Sequence, residues 1–265
     1  MPHRQTALIT GASAGIGATY ADRLARRGYD LVLVARDGSR LAALADRLAG
    51  ETGRRIDVLR ADLTDRTQLA RVEERLADDP AIALLVNNAG LSLDGTVATA
   101  PAVDIERLIA LNVTAPTLLA AAAARAFAPR GTGTIVNIAS VLALAPELFD
   151  AGYSATKAFV LTLSQGLAAE IGGKGVHVQA VLPGATRTEI WERSGKDVDA
   201  LPAEILMEVG DLVDAALAGL DRGETVTIPP LHDDTGWQAM QRERLALAPL
   251  LSRREVAPRY RRSAG

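Results

Sequence analysis

The stretch Gln5–Gly17 (QTALITGASAGIG) most constrains what this chain can fold into. Ala7, Leu8 and Ile9 form a short apolar run, and Gly11, Gly15 and Gly17 follow at once. A run this short, closed by turn residues, fits a strand buried on both faces. The apolar positions then move to helix spacing at Ile16, Tyr20 and Leu24. Strand, glycine turn and helix together make a cradle for a phosphate. Glycines let the backbone approach closely, and a helix start offers unpaired N–H groups and positive dipole to an anion.

The glycine spacing is Gly-x-x-x-Gly-x-Gly, not the Gly-x-Gly-x-x-Gly of the common dinucleotide fingerprint. The letters Gly11-Ala12-Ser13-Ala14-Gly15 also spell the G-x-S-x-G elbow of serine hydrolases. A strand-to-helix turn that binds nothing satisfies the same spacing.

With 265 residues, 48% of them apolar and no Pro/Gly/Ser-rich linker, the chain reads as one α/β domain spanning 1–265. A net charge of −3 gives no reason to expect nucleic acid or an anionic membrane as partner. No uninterrupted apolar run approaches the ~20 residues that cross a bilayer. Met1-Pro2-His3-Arg4 leads straight into the first strand, so no signal peptide is expected and the cytoplasm is the expected location. The absence of cysteine excludes disulfides and thiolate sites, and His3, His177 and His232 are too scattered for a metal site.

Strands and helices alternate along the chain. Leu31–Val34 is a second buried run, and its end carries Arg36, with Asp37 adjoining. In a dinucleotide site an acidic residue there holds the ribose, whereas an arginine accommodates a 2′-phosphate. Arg36 therefore favours NADP(H), with NAD(H) left open through Asp37. Ile56–Leu59 is a third run, followed by a helix capped by Thr64 or Asp65. Ile82–Val86 ends in the tight turn Asn87-Asn88-Ala89-Gly90.

A long helix is expected from Pro101 to about Phe127, with Asn112 in its middle. The asparagine amide competes with the helix backbone, so it needs a partner. Thr134–Ile138 is the next strand, ending at Ser140. Asp150–Ile171 reads as a helix, Val176–Leu182 as a strand ending in Pro183-Gly184, and Asp211–Leu220 and Thr225–Ile228 as a last helix and strand. Residues of about 186–210 are irregular and suit a substrate lid. About 232–265 form an arginine-rich extension, read as a helix plus a disordered end.

Tyr153 and Lys157 lie one helical turn apart. A phenol with pKa near ~10 is a poor base at neutrality, and lowering it by about three units requires roughly 4 kcal/mol. A fixed ammonium and an oxidised nicotinamide ring together supply it. In reduction the same phenol hands its proton to a developing alkoxide. Ser140 is placed to hydrogen-bond a substrate carbonyl, and Asn112 to hold a water relaying protons to Lys157.

Taken together, these residues resemble the short-chain dehydrogenase/reductase family over roughly residues 5–230. Thr10-Gly11-Ala12-Ser13-Ala14-Gly15-Ile16-Gly17 matches its cofactor loop, Asn87-Asn88-Ala89-Gly90 its NNAG turn, and Pro183-Gly184-Ala185-Thr186-Arg187-Thr188 its PGxxxT segment. The resemblance implies a Rossmann-type, doubly wound, seven-stranded, mostly parallel sheet with helices on both faces. It implies hydride transfer between NAD(P)(H) and a carbonyl or alcohol, usually by a homodimer or homotetramer.

By the same resemblance, the catalytic set is Asn112, Ser140, Tyr153 and Lys157. The cofactor-binding set is Gly11, Ser13, Gly15, Ile16, Gly17, Arg36, Asp62, Leu63, Asn88, Ala89, Gly90, Tyr153, Lys157, Pro183, Gly184, Thr186 and Thr188. Asp62 sits beside the adenine and Thr188 at the nicotinamide carboxamide. Ala14 is a departure, because many NADP-preferring members carry a basic residue there. Arg36 must then select the 2′-phosphate almost alone, aided by the Ser13 hydroxyl.

The apolar residues around Ser140 and the tyrosine helix point to a small, partly apolar ketone or secondary alcohol. Leu91, Leu142, Phe149 and Trp191 are the pocket candidates, although Leu142 and Phe149 suit a core or subunit interface equally well. Two other functions compete. A cofactor-binding regulatory or scaffold protein on this fold has no need of all four catalytic residues. A serine hydrolase using Ser13 with His232 leaves Tyr153, Lys157 and Asn112 idle.

Overall fold

The computed structural model describes residues 5–193 and 197–261. Residues up to Pro230 form one compact unit, and those from Leu231 a second. His3 and Arg262, together with 194–196 of the expected lid, lie outside the described residues.

The first unit is built on strands β1 (Thr6–Thr10), β2 (Asp30–Ala35), β3 (Ile56–Arg60), β4 (Ile82–Asn87), β5 (Gly133–Ile138), β6 (Val176–Val181) and β7 (Val226–Thr227). They form a seven-stranded sheet in the order β3-β2-β1-β4-β5-β6-β7. All six pairings are parallel. The chain runs outward from β1 through β2 to β3, then returns to start again at β4 on the other side. This reversal between β1 and β4 opens a crevice at the carboxyl ends of the strands, where sheets of this type bind ligands.

Side-chain alternation along the strands feeds two separate cores. Ala7, Ile9, Leu31, Leu33 and Val86 face helices α1 (Gly15–Arg26), α2 (Gly38–Thr52) and α8 (Val209–Asp221), which bury Tyr20, Leu24, Leu41, Leu48, Leu212 and Leu217. Leu8, Val32, Val34, Leu85, Ile135 and Val178 face α3 (Arg66–Asp78), α5 (Ala115–Phe127) and α6 (Ala151–Ile171), which bury Leu69, Leu76, Leu119, Phe127 and Ile171. Each fully buried side chain of this size contributes about 1.5–3 kcal/mol. Two apolar faces on one sheet require helices on both sides, hence three layers.

The expected single helix from Pro101 to Phe127 is interrupted. α4 (Ala102–Ile109) passes into a π-helical turn, Ala110–Thr114, before α5 begins. Asn112 is buried in that turn, and its amide bonds outside the helix. Single π-turns inside α-helices are rare and are frequent at functional sites. By length and composition the helix Ala102–Arg130 could cross a bilayer, which a count of uninterrupted apolar residues does not register. In this fold its buried side chains, among them Leu119, Ala123 and Phe127, pack in the core beneath the sheet.

The capping side chain of α3 is Asp65, which accepts from the Gln68 N–H at 2.9 Å. α7 (Ile190–Arg193) and α9 (Thr235–Leu247) complete the helices of four residues or more among the described residues. α9 belongs to the second unit, and none of its residues is buried.

Candidate active site

The cradle comes first in the chain. Gly11 has a φ of +64°, and a Cβ on it would stand 2.8 Å from Asn88 Nδ2 and 2.9 Å from Ala89 Cα. A Cβ on Gly17 would collide with the Gly11 carbonyl oxygen. Only glycine gives this conformation and this clearance. The turns after β1 and β4 are bolted together. Thr10 Oγ1 accepts from the N–H groups of Asn88 (3.0 Å) and Ala89 (3.1 Å), while Asn88 Nδ2 donates to the Thr10 carbonyl at 2.9 Å.

The first turn of α1 contains no acidic residue, and Ala14 at its N-cap offers no side-chain acceptor. Its N–H groups are thus left for an external anion. Gly15, Ile16 and Ser13 are all partly exposed at this turn. The space where a Gly15 Cβ would stand is 3.4 Å from the Thr188 methyl, so the PGxxxT segment reaches the glycine loop.

At the end of β2 the two candidate residues diverge. Asp37 caps α2, its carboxylate accepting from Arg40 N–H (3.0 Å) and Ser39 Oγ (2.6 Å). These bonds, the serine's first, hold its carboxyl below the ordinary value. The exposed Arg36 guanidinium makes no hydrogen bond or ion pair among the described residues; only its carbonyl is engaged, by Arg60 Nε at 3.1 Å. The end of β2 therefore presents an exposed cation, while its carboxylate is engaged by its own helix. Asp62 Oδ1 accepts from Thr64 N–H (3.0 Å) and Oγ1 (2.8 Å). Partial burial raises this carboxyl, but the Thr64 bonds and the charges of Arg36 and Arg107 outweigh it and hold it low. Leu63 beside it is buried.

The second half of the site is made of buried side chains. Asn112 Oδ1 accepts from Leu91 N–H (2.9 Å), and its Nδ2 donates to the Leu91 carbonyl (2.8 Å) and Thr156 Oγ1 (3.1 Å). Both amide N–H bonds are thus spent on the protein. Thr156 Oγ1 in turn donates to the Tyr153 carbonyl at 2.7 Å, which ties the π-turn to α6 at the tyrosine. A Cβ on Gly90 would lie 3.3 Å from Asn112 Oδ1 and 3.7 Å from Lys157 Nζ, so these three meet.

Lys157 is buried, and its Nζ donates to the Ile138 carbonyl at 2.8 Å. Burial lowers its ammonium to about 8. Nζ stands 5.4 Å from the centre of the Tyr153 ring. Burial pushes the Tyr153 phenol up, and the Asp150 carboxylate at the α6 N-cap adds to this. Lys157 alone does not acidify it.

Ser140 is buried at the end of β5, where Oγ accepts from Leu142 N–H at 3.1 Å and faces the Pro183 carbonyl at 3.5 Å. From Pro183 the chain continues through Gly184, whose carbonyl accepts from Thr186 Oγ1 at 3.0 Å. Trp191 Nε1 then donates to the Thr186 carbonyl at 2.8 Å. Phe149 stands edge-on to Tyr153 (5.9 Å between centroids) and to Trp191 (6.0 Å). Two pocket candidates are thus joined to the phenol. Leu91 enters through its backbone, held by Asn112, and Leu142 through its N–H to Ser140.

Thr10 and Thr156 hold the site together but are missing from the residues inferred to act in it. Thr10 had a sequence signal, as it opens the glycine motif. Thr156 had none, since only the fold brings it to Asn112.

Comparisons with known proteins agree with this architecture. The family model for short chain dehydrogenase matches residues 5–199. A short-chain dehydrogenase from Sphingobium yanoikuyae, solved in complex with NADPH, is 57% identical with a TM-score of 0.95, covering 97% of this chain and 100% of that one. A bulky-bulky ketone specific alcohol dehydrogenase from Comamonas testosteroni is 53% identical with a TM-score of 0.90, covering 97% and 99%. Among curated proteins, human 17-beta-hydroxysteroid dehydrogenase type 3 is 36% identical over 69% of this chain, a match that spans only 60% of the human protein. The matched residues carry the glycine cradle, the π-turn asparagine and the Tyr153–Lys157 helix, and on this evidence the chain belongs to the short-chain dehydrogenase family of oxidoreductases.

Proposed function

We propose that this chain transfers a hydride between NADP(H), in preference to NAD(H), and the carbonyl or secondary alcohol of a partly apolar substrate, with Tyr153 as general acid and base. The observation that carries the reading is the convergence at Tyr153: Lys157 Nζ lies 5.4 Å from its ring, and Phe149 stands edge-on to it. NADP(H), when bound, supplies or accepts the hydride. Its phosphates fit the cradle left by Gly11, Gly15 and Gly17 and the uncapped start of α1. Arg36, whose guanidinium has no partner among the described residues, and the self-engaged Asp37 favour a 2′-phosphate over a bare ribose. The NADPH complex of the Sphingobium relative supports the same choice.

The residues divide the proton work. With its phenol held up by burial, Tyr153 keeps its proton near neutrality and is ready to deliver it to a carbonyl oxygen. Lys157 is charged below about 8 and stabilises the phenolate left behind. Ser140 Oγ, already ordered by Leu142 N–H, offers a hydrogen bond to the same carbonyl oxygen. The Phe149 and Trp191 rings give the substrate an apolar wall. The Comamonas relative's name widens the expected substrates to ketones with bulk on both sides. Exposed Val103, Ile109 and Phe159 on α4 and α6 support a homo-oligomer, and the cytoplasm remains the proposed location.

The test is a thermal-shift titration with NADPH and NADH, followed by an absorbance screen over aryl and alkyl ketones. NADPH at ~100 times Kd adds about 2.7 kcal/mol of stability. Tyr153→Phe is expected to keep NADPH binding while turnover falls about 1,000-fold. Unchanged turnover in that variant would refute the assignment.

A further inference from the structure

Two helix starts in this protein are treated in opposite ways. α1 begins with no acidic residue and no capping side chain. α6 begins at Asp150, whose Oδ1 accepts from the N–H of Gly152 at 2.8 Å and of Tyr153 at 3.3 Å, with Oδ2 also 3.3 Å from the Tyr153 nitrogen. The capping aspartates of α2 and α3, Asp37 and Asp65, are exposed, whereas Asp150 is only 8% exposed. Where a Cβ on Gly152 would stand, Val97 Cγ2, Leu93 Cδ1 and Asp150 Oδ1 converge within 3.2 Å. Aliphatic side chains thus adjoin the carboxylate, and no cation forms an ion pair with it among the described residues.

Tyr153 is the third residue of α6 and therefore lies in its first turn. A bare helix start carries roughly half a positive charge and favours an anion there, in this case a phenolate. The full negative charge of Asp150 outweighs that half charge, and in a buried setting its field is weakly screened. The other charges near the phenol are few. Lys157 Nζ stands 5.4 Å from the ring centre. Asp94, Glu147 and the α4 residues Asp104, Glu106 and Arg107 are exposed, and Glu189, near Trp191, is paired with Arg40 at 2.9 Å. Phe149 against the ring and Ser140 at the end of β5 carry no charge.

We propose that Asp150 is a positioning residue for the proton step: it holds the Tyr153 backbone, reverses the field of the helix start at the phenol, and so sets the site for carbonyl reduction. This rests on the reading of Tyr153 as general acid and base, and gives that reading a direction. In reduction the carbonyl carbon takes the hydride of NADPH, its oxygen takes the phenol proton, and the phenolate left behind recovers a proton from water. Oxidation runs these steps backward and must start from phenolate, so Asp150 confines it to alkaline pH. The upward push of Asp150 on the phenol agrees with this.

The experiment uses Asp150→Asn and Asp150→Ser, which keep a capping acceptor and lose the charge. For the full chain, kcat/KM is measured against pH for an aryl alkyl ketone with NADPH and for its alcohol with NADP. In both variants the midpoint of the oxidation profile is expected to fall by about 0.5–1 unit. Oxidation near pH ~7 is expected to rise about 3-fold, while reduction loses its alkaline range by the same shift. Asp150→Glu keeps the charge, and its midpoint is expected within about 0.3 unit of the parent's. NADPH affinity is expected within about 2-fold of the parent's in all three, and melting shows which variants keep the fold. Lower activity at an unmoved midpoint in the uncharged variants makes Asp150 a cap alone and overturns the proposal, as does a midpoint that Asp150→Glu moves equally. Turnover kept in Tyr153→Phe, or absent with every ketone in the parent, overturns instead the acid–base reading beneath it.

Discussion

The two halves of the site are built by opposite means. The cradle at β1 and α1 works by what is missing: no Cβ at Gly11 or Gly17, and no capping side chain at Ala14. The catalytic half at β4, β5 and α6 works by what is present, with Asn112, Ser140 and Lys157 buried among named partners. The first is a steric device, intolerant of any added atom. The second is a polar device, whose members are each held by hydrogen bonds to neighbouring backbone and side-chain groups. Damage to the cradle should therefore appear first in cofactor binding, and damage to the catalytic half in turnover, pH response and local stability.

Gly17→Ala tests the steric half with the largest expected effect. The new methyl meets the Gly11 carbonyl, and the resulting overpacking is expected to cost about 2–3 kcal/mol. NADPH affinity should fall roughly 100-fold by the same energy, measured by titration. Affinity within a factor of two of the parent would show that the loop gives way, and the contrast between the halves would fail.

Asn112→Ala probes the polar half. It strands the Leu91 N–H and carbonyl and removes the donor to Thr156 Oγ1, and is expected to destabilise the protein by about 2 kcal/mol in chemical denaturation. Turnover should drop with it while NADPH affinity stays nearly constant. Loss of affinity without loss of stability would place Asn112 on the wrong side of the comparison.

Lys157 sharpens it through pH. Its native pKa, near 8, lies below the ~10.4 of an unfolded lysine. Between those values the unfolded chain binds the extra proton, so stability rises with pH. Between pH 8 and 10 the parent should gain about 2 kcal/mol relative to Lys157→Met, with Tyr153 opposing further gain once unfolded tyrosine ionises above about 10. Parallel stability curves for parent and variant would deny that the lysine is buried with its charge unpaired.

Arg36→Ala is the smallest test and returns to the cradle. Loss of one charge-assisted contact is expected to weaken NADPH about 10-fold and leave NADH almost unaffected. A uniform loss for both cofactors would make Arg36 a general phosphate contact rather than a selector.

Much of the cradle was legible because it is local. Thr10 to Gly17 specify a turn whose geometry depends on residues within one strand and one helix, and Asn88 completes it through a turn of its own. Asn112 was legible as an anomaly, an amide in an apolar helix, but not as a π-turn. Its partners Leu91 and Thr156 lie 21 and 44 positions away. Phe149 stood as a pocket candidate that suited a core or interface equally well, and its edge-on contacts with Tyr153 and Trp191 needed the lid and α6 to be folded.

Local spacing and composition were enough to place the strand–turn–helix alternation, the glycine turn after the first strand and the one-turn separation of Tyr153 and Lys157, since these depend on steric rules within a few residues. The phenol's protonation, the engagement of Asp37 by its own helix, and the Arg40–Glu189 contact were decided only in three dimensions. Each depends on burial or on charges brought together across the chain, and neither desolvation nor Coulomb energy exists until the fold has set the distances.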